Sequence, residues 1–159
     1  MALYHFSVRH VSRGKGQMVI ASAAYISGQR IFDSYYNKIH DYTSKSGVVF
    51  TEILTPEYVP ERLTDRETLW NEVEHVERNN KAQLAYSFDI ALQNELTLEE
   101  NIRLAKEFCQ EQFVARGMIV DLAIHEGKSD NEEEPDNPHF HVLVPIRPFT
   151  EEGIWGNKQ

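Results

Sequence analysis

The sequence is poor in the features that stabilise small extracellular proteins or anchor proteins in membranes. Its 159 residues include one cysteine, Cys109, which excludes an internal disulfide framework and a multi-cysteine metal cluster and favours a reducing compartment. It contains no run of about 18 consecutive apolar residues, so no transmembrane helix is predicted. The opening residues, Met1-Ala2-Leu3-Tyr4-His5, lack the basic region and apolar core of a signal peptide. These absences predict a single cytoplasmic domain without membrane insertion.

Positive charge is also scarce, because 16 basic residues stand against 25 acidic ones and give a net charge of −9. Such a balance argues against a nucleic-acid partner for the molecule as a whole. The charge is unevenly distributed, however, since residues 1–50 contain six basic and only two acidic side chains. This basic first third permits a local phosphate-binding face on an otherwise acidic domain.

Apolar periodicity and capping residues predict the element order β, α, β, α, β, α, β, β. Strands are predicted at 3–9, 48–54, 84–92, 118–125 and 139–146, and the first helix at 17–25 with Gly28 as its stop. Two capping boxes, Thr64 with Glu67 and Thr97 with Glu100, predict the starts of the other helices, and residues 35–42 are interpreted as extended or looped. The last two strands should pair as a hairpin around the acidic segment 130–136. We therefore expect an α+β two-layer sandwich, with helices on one face of a central, mainly antiparallel sheet.

Three of the seven histidines should be brought together by that hairpin. His139 and His141 point to the same face of one strand, about 7 Å apart, while Phe140 points to the other face. His125 ends the preceding strand, so antiparallel pairing places it opposite the start of the next. Three neutral imidazoles can bind a divalent metal and leave positions open for water or substrate. The alternative is that these are structural histidines at strand ends.

The candidates for acid–base and nucleophilic roles are less distinct. Asp89 is a lone acid within an apolar strand, where it could orient a metal-bound histidine, accept a proton from a nucleophile, or simply face outward. His5 is either a support for the metal ligands or a structural histidine, and Cys109 is interpreted as a core residue. There is no serine elbow and no phosphate-binding loop of the Walker type. Seven tyrosines remain as candidate nucleophiles, and spacing favours none of them.

Short motifs follow one another from the first strand to the end of the chain. They are Tyr4-His5-Phe6-Ser7-Val8, Ser12-Arg13-Gly14-Lys15-Gly16-Gln17, Ala23-Ala24-Tyr25-Ile26-Ser27-Gly28, Asp41-Tyr42-Thr43, Leu69-Trp70-Asn71-Glu72-Val73-Glu74, Ala82-Gln83-Leu84-Ala85, Ile90-Ala91-Leu92, Asn137-Pro138-His139-Phe140-His141 and Trp155-Gly156-Asn157-Lys158. In this order they resemble the relaxase domain of the MobA/MobL family. These relaxases are HUH endonucleases that mobilise plasmids and integrative elements.

The resemblance implies a bacterial cytoplasmic enzyme that nicks single-stranded DNA at an origin of transfer and becomes joined to the 5′-phosphate. Tyr25 matches the family's nucleophilic tyrosine, and its metal-binding histidines match His125, His139 and His141. Many relatives carry Arg-Glu where this chain has Tyr86-Ser87. A family acid two residues further on matches Asp89, which leaves the role of that carboxylate open.

The resemblance also implies a divalent metal cofactor, Mn²⁺ or Mg²⁺, which Zn²⁺, Ni²⁺ or Co²⁺ can replace in a purified sample. Basic side chains of the first third are candidate phosphate contacts, and Tyr42 is a candidate base-stacking residue, although each is also compatible with solvated charge or core packing. The basic candidates are Arg9, Arg13, Lys15, Arg30 and Lys45. We expect residues 1–159 to form one monomeric nicking domain at the N-terminus of a longer protein, which works with relaxosome or coupling proteins.

Two other functions remain open from the residues. A metal-dependent hydrolase or cupin-like oxygenase would use the same histidines with water or oxygen, although no Glu of the cupin pattern follows His141. A DNA-binding accessory module or replication initiator is the second alternative. Initiators of the superfamily often place their tyrosine after the histidine pair, and no tyrosine follows His141 here.

Overall fold

A computed structural model describes residues 6–127, 133 and 136–159 of the chain. Predictions for Tyr4 and His5, and for most of the acidic segment 130–136, lie outside the described residues. The strands are β1 (Phe6–Ser12), β2 (Arg30–Asp33), β3 (Lys38–Asp41), β4 (Val48–Leu54), β5 (Gln83–Ala91), β6 (Val120–His125) and β7 (His139–Pro145). The helices are α1 (Val19–Ser27), α2 (Arg66–Val76) and α3 (Leu98–Gln112), and short 3₁₀ turns occupy Arg13–Lys15, Glu61–Thr64 and Val114–Arg116.

Five strands form one antiparallel sheet in the order β1-β5-β7-β6-β4, which puts β7 at its centre. The predicted pairing of the last two strands is confirmed, with His125 opposite His139. The sheet and the α+β class are confirmed as well. Outside the sheet, β2 and β3 form a separate antiparallel hairpin where the sequence predicted an extended or looped segment.

The helices cover both faces of the sheet, whereas the sequence predicted one helical layer. On one face, α1 and α2 pack with Ala85, Ala123 and Leu143 in a common core. On the other face, α3 contributes Cys109 to a second core that includes Phe140 of the central strand. The central strand β7 presents buried apolar side chains on both faces, so each face needs its own cover. The prediction that Cys109 is a core residue is confirmed, and burial raises the pKa of its thiol to about 12.

Local capping explains where the helices start and stop. The capping box of Thr97 and Glu100 is confirmed at the start of α3. At α2 the prediction is wrong, because the side chain of Asp65 caps the helix by accepting from the Thr68 backbone N–H at 3.1 Å. The hydroxyl of Thr64 instead donates to the Glu61 carbonyl inside the preceding turn. No helix in the described part of the chain is long and apolar enough to cross a membrane.

Gly28 ends α1 as predicted, with a φ of +66° in the left-handed region that glycine adopts at least cost. The chain therefore turns sharply after the last helical residue, Ser27. This turn fixes the end of α1, which lies beside the end of β6.

Candidate active site

The three predicted histidines meet at one end of the central strands. Each of His125, His139 and His141 offers a ring nitrogen, and these atoms lie within 4.8 Å of one another. The ring centroids are 4.4–5.3 Å apart. Because His–metal bonds measure about 2.0–2.2 Å, small ring rotations would bring all three nitrogens onto one ion. The donor set therefore fits a divalent metal that prefers imidazole and keeps open positions.

Two backbone carbonyls orient these imidazoles. The Nε2–H of His125 donates to the carbonyl of Ile26 in the last turn of α1 at 2.8 Å, and the Nδ1–H of His139 donates to the carbonyl of Asn137 at 3.0 Å. A carbonyl oxygen only accepts, so each bond fixes the tautomer and leaves the other ring nitrogen with a free lone pair. These carbonyls have no side-chain signature, which is why sequence reasoning missed them.

The surroundings keep two of the imidazoles neutral, which is the form that binds metal. The pKa of His141 is lowered to about 4, mainly by burial and also by the neighbouring His125, while Asp89 opposes the shift. Burial also lowers the pKa of His125, and the nearby charge of Lys45 acts in the same direction. Charging these rings in the absence of an ion would be unfavourable because it would remove cationic groups from water.

Asp89 lies next to the cluster, in direct cross-strand register with His141. Facing residues of an antiparallel pair share one side of the sheet, so the half-buried carboxylate is on the same face as the histidine. The structure thus brings Asp89 to the candidate centre. This position is compatible with orienting a ligand or accepting a proton.

Tyr25 projects from α1 into a groove that also reaches the histidine cluster. Its side chain is 49% exposed although it belongs to a helix that is otherwise mostly buried. The groove has a volume of about 330 Å³, and its walls include Tyr25, Tyr42, His141 and Arg9. An exposed phenol in a groove that also reaches a histidine cluster is suited to covalent catalysis.

Two of the predicted DNA contacts pack against Tyr25 itself. Tyr42 meets its ring edge-on, with centroids 5.3 Å apart and an interplanar angle of 88°. The Nζ of Lys45 lies 3.4 Å from the centroid of the same ring. Both residues follow β3, the strand that sequence reasoning did not resolve.

The other predicted basic contacts divide into exposed and buried side chains. Arg9, Lys15 and Arg30 are exposed, and Arg9 lines the groove. The guanidinium of Arg30 is 3.9 Å from the carboxylate of Asp41, an exposed pair that leaves it available to other anions.

The structure corrects the prediction that Arg13 is a phosphate contact. Its side chain is only 4% exposed and bonds to other parts of the fold. Its Nε donates to the Glu74 carboxylate at 3.0 Å, and its terminal nitrogens donate to the carbonyls of Glu77 and Asn79. The guanidinium also lies 4.3 Å from the ring centroid of Tyr35. With all its donors engaged within the fold, Arg13 joins the first turn to the end of α2 and has no donor left for a phosphate.

Comparisons with known proteins agree with this geometry. The MobA/MobL family model matches residues 17–159. The chain is 36% identical over 168 residues to the conjugal transfer protein TraA of Agrobacterium fabrum, covering 99% of this chain and 15% of that protein. It is 32% identical to the mobilization protein MobL of Acidithiobacillus ferridurans, covering 98% of this chain and 41% of that one. The chain thus spans less than half the length of these relatives.

A solved structure described as the molecular basis of vancomycin resistance transfer in Staphylococcus aureus has the same fold. It superposes with a TM-score of 0.87 at 39% sequence identity, covering 99% of this chain and 77% of that one. The fold and the sequence similarity cover nearly the whole length of this chain, and the histidine cluster is consistent with them. The chain therefore belongs to the MobA/MobL family.

Proposed function

We propose that this domain nicks one strand of DNA at an origin of transfer and remains joined to it through Tyr25. The observation that carries the proposal is the groove that connects the phenol of Tyr25 with the imidazole of His141, one of three clustered histidines. A nucleophile and a metal site that share one groove can act on the same phosphate. Family membership supports the same conclusion.

The proposed reaction is a transesterification in which one phosphodiester replaces another. The phenol oxygen of Tyr25 attacks phosphorus, the bond from phosphorus to the 3′-oxygen breaks, and a 5′-phosphotyrosine forms. The phenol proton passes to Asp89 or to water, and the departing 3′-oxygen takes up a proton to become a hydroxyl. Since the bond formed resembles the bond broken, the step is reversible and the strand can be rejoined.

A divalent ion, Mn²⁺ or Mg²⁺ in the cell, would be held by His125, His139 and His141. When bound, it neutralises charge on the scissile phosphate and so favours attack by a phenol whose ordinary pKa is near 10. Zn²⁺, Ni²⁺ and Co²⁺ suit three imidazoles at least as well, so they can occupy the site in a purified sample.

The substrate would be unpaired DNA, because the scissile phosphate must enter the groove that Tyr25 and His141 line. Arg9, Lys15 and Arg30 are exposed and could follow the phosphates, while Tyr42, which lines the groove, is a candidate for stacking with a base. We also infer that the domain acts as a bacterial cytoplasmic monomer within a longer protein and alongside relaxosome or coupling proteins.

The test is adduct formation by Tyr25→Phe. The full chain is incubated with Mn²⁺ and a labelled single-stranded oligonucleotide spanning the origin of transfer of the element that encodes it. On a denaturing gel we expect a covalent adduct with the wild type and none with Tyr25→Phe, since the substitution removes one oxygen and little packing. Tyr36→Phe, which changes an exposed tyrosine of the β2–β3 hairpin, is the matched control and should retain the adduct.

Two outcomes would overturn the proposal. Adducts that persist in Tyr25→Phe and map to another tyrosine would show that the nucleophile lies elsewhere. Nicking without any adduct would mean that water is the nucleophile and that the protein is a metal-dependent hydrolase.

A further inference from the structure

Lys45 occupies an unusual position for a surface lysine, because it lies over the ring of Tyr25. The distance of 3.4 Å from Nζ to the ring centroid is that of a close cation–π contact. The lysine is half-buried and makes no ion pair with a carboxylate in the part of the chain that the structure describes. Its charge is therefore directed at the aromatic ring.

The backbone holds Lys45 in this place. Its N–H donates to the Tyr42 carbonyl at 3.0 Å, and the Tyr42 N–H donates to the Gln29 carbonyl at 3.1 Å. Gln29 directly follows Gly28, which ends the helix carrying Tyr25. The turn 42–45 is thus attached to the end of α1, and it places the ring of Tyr42 perpendicular to that of Tyr25 and the ammonium of Lys45 over the Tyr25 ring.

Lys45 is also near the histidine cluster. It is one of the charges that lower the pKa values of His125 and His141, so its electrostatic influence extends to both rings. The carboxylate of Asp89 opposes that effect, while the carboxylate of Asp41 is 3.9 Å from the guanidinium of Arg30. The contact with the ring of Tyr25 also brings the ammonium near the phenol oxygen, where negative charge would develop.

We propose that Lys45 is a positioning residue that holds the ring of Tyr25 in the groove and favours the phenol oxygen as it becomes negative. This inference rests on the proposed function and deepens it. A cation over the ring attracts a phenolate more strongly than a phenol, because only the phenolate carries net charge. Lys45 exchanges no atom with the substrate. Its effect falls on the rate of adduct formation, whereas a phosphate contact would affect the affinity for DNA.

The kinetic test compares Lys45→Met, Lys45→Arg and the control Lys38→Met, which removes an exposed charge from β3. Single-turnover adduct formation is measured with Mn²⁺ at saturating oligonucleotide, and DNA affinity is measured separately in the Tyr25→Phe background. We expect Lys45→Met to slow the single-turnover rate about tenfold with affinity changed less than about twofold. Lys45→Arg should recover most of the rate, and Lys38→Met should leave both quantities unchanged.

A second measurement does not depend on activity. The ring resonances of ¹³C-labelled tyrosine, with Tyr25 assigned by its loss in Tyr25→Phe, should shift for Tyr25 in Lys45→Met and stay in place in Lys38→Met. An unmoved Tyr25 resonance, an unchanged single-turnover rate, a loss confined to DNA affinity, or a failure of Lys45→Arg to recover the rate would each overturn the role of Lys45. A wild type without adduct, or an adduct that survives Tyr25→Phe, would instead contradict the proposed function, and the resonance shift would still test the contact.

Discussion

At the scale of single residues, the candidate centre combines groups whose environments work against ionisation. His141 lies on the central strand between Asp89 and Ala123 and is buried enough to lower its pKa to about 4. In the unfolded chain a histidine titrates near 6.5. Below about pH 6.5, therefore, His141 is protonated in the unfolded chain but remains neutral in the folded protein. The contribution of the neutral His141 to the free energy of unfolding is therefore complete above about pH 6.5 and is lost as the pH falls toward 4.

This linkage predicts the behaviour of His141→Gln in the presence of a chelator. Between pH 7 and pH 5 the free energy of unfolding of the wild type should fall by about 1–2 kcal/mol more than that of the variant. Urea denaturation at the two pH values measures the difference. The variant should also bind Mn²⁺ more weakly by calorimetry, because one of three ligands is gone. Equal pH dependence in the two proteins would contradict the neutral state of the half-buried His141.

The burial of Arg13 could not be predicted from the sequence. Its neighbours Gly14 and Lys15 suggest a basic turn facing solvent, and nothing local distinguishes it from Lys15. The partner that buries it, Glu74, is 61 positions away. Charge patterning reports local composition only, so it could identify the basic first third and could not separate a phosphate contact from an internal ion pair.

At the scale of elements, two adjacent residues, Thr64 and Asp65, are candidates for the N-cap of α2, and mutation can distinguish them. Asp65→Ala should lower the free energy of unfolding by about 1 kcal/mol, since it removes the acceptor of the Thr68 N–H. Thr64→Ala should cost less, because that hydroxyl serves the preceding turn. Thermal or urea denaturation of the two variants decides the matter. A larger loss of unfolding free energy in Thr64→Ala than in Asp65→Ala would instead support the capping box predicted from the sequence.

Elements with a local signal were predicted well. Period-two alternation placed His139 and His141 on one face, and hairpin pairing of two successive strands placed His125 beside them. The hairpin of β2 and β3 was missed because its turn, 34–37, has no glycine, and the left-handed position is taken by Asn37 with a φ of +51°. Tyr42 and Lys45 follow that hairpin, so their contact with Tyr25 could not be foreseen either.

At the scale of the whole molecule, a buried ionic cluster joins the helical layer to the sheet. Asp121 of β6 accepts from Arg66 Nε at 2.8 Å and from Trp70 Nε1 at 2.8 Å, and all three side chains are buried. Asp121→Asn would leave the Arg66 cation buried without its counter-charge. We expect a loss of about 3 kcal/mol in the free energy of unfolding.

The matched control for this prediction is Glu52→Gln. Glu52 pairs with Lys106 at 2.9 Å on the surface, so its loss should cost under about 1 kcal/mol. Urea denaturation of both variants tests the comparison. Similar losses in the two variants would mean that the cluster of Asp121 does not hold α2 to the sheet.

The arrangement of layers depends on contacts between distant segments, which the sequence does not display. The strand order β1-β5-β7-β6-β4 inserts the last strand between β5 and β6, and α3 crosses to the face opposite α1 and α2. The amphipathic pattern of α3 shows which of its sides is apolar, but it is equally compatible with either face of a sheet that is buried on both. The prediction of a single helical layer failed for this reason.

The hydrogen bond from His125 to the carbonyl of Ile26 has a mechanical consequence. Under the proposed function, a strand attached to Tyr25 pulls on α1 whenever the DNA is under tension. Ile26 is the next residue along that helix, so this bond would carry part of the load directly to His125 of the candidate metal centre.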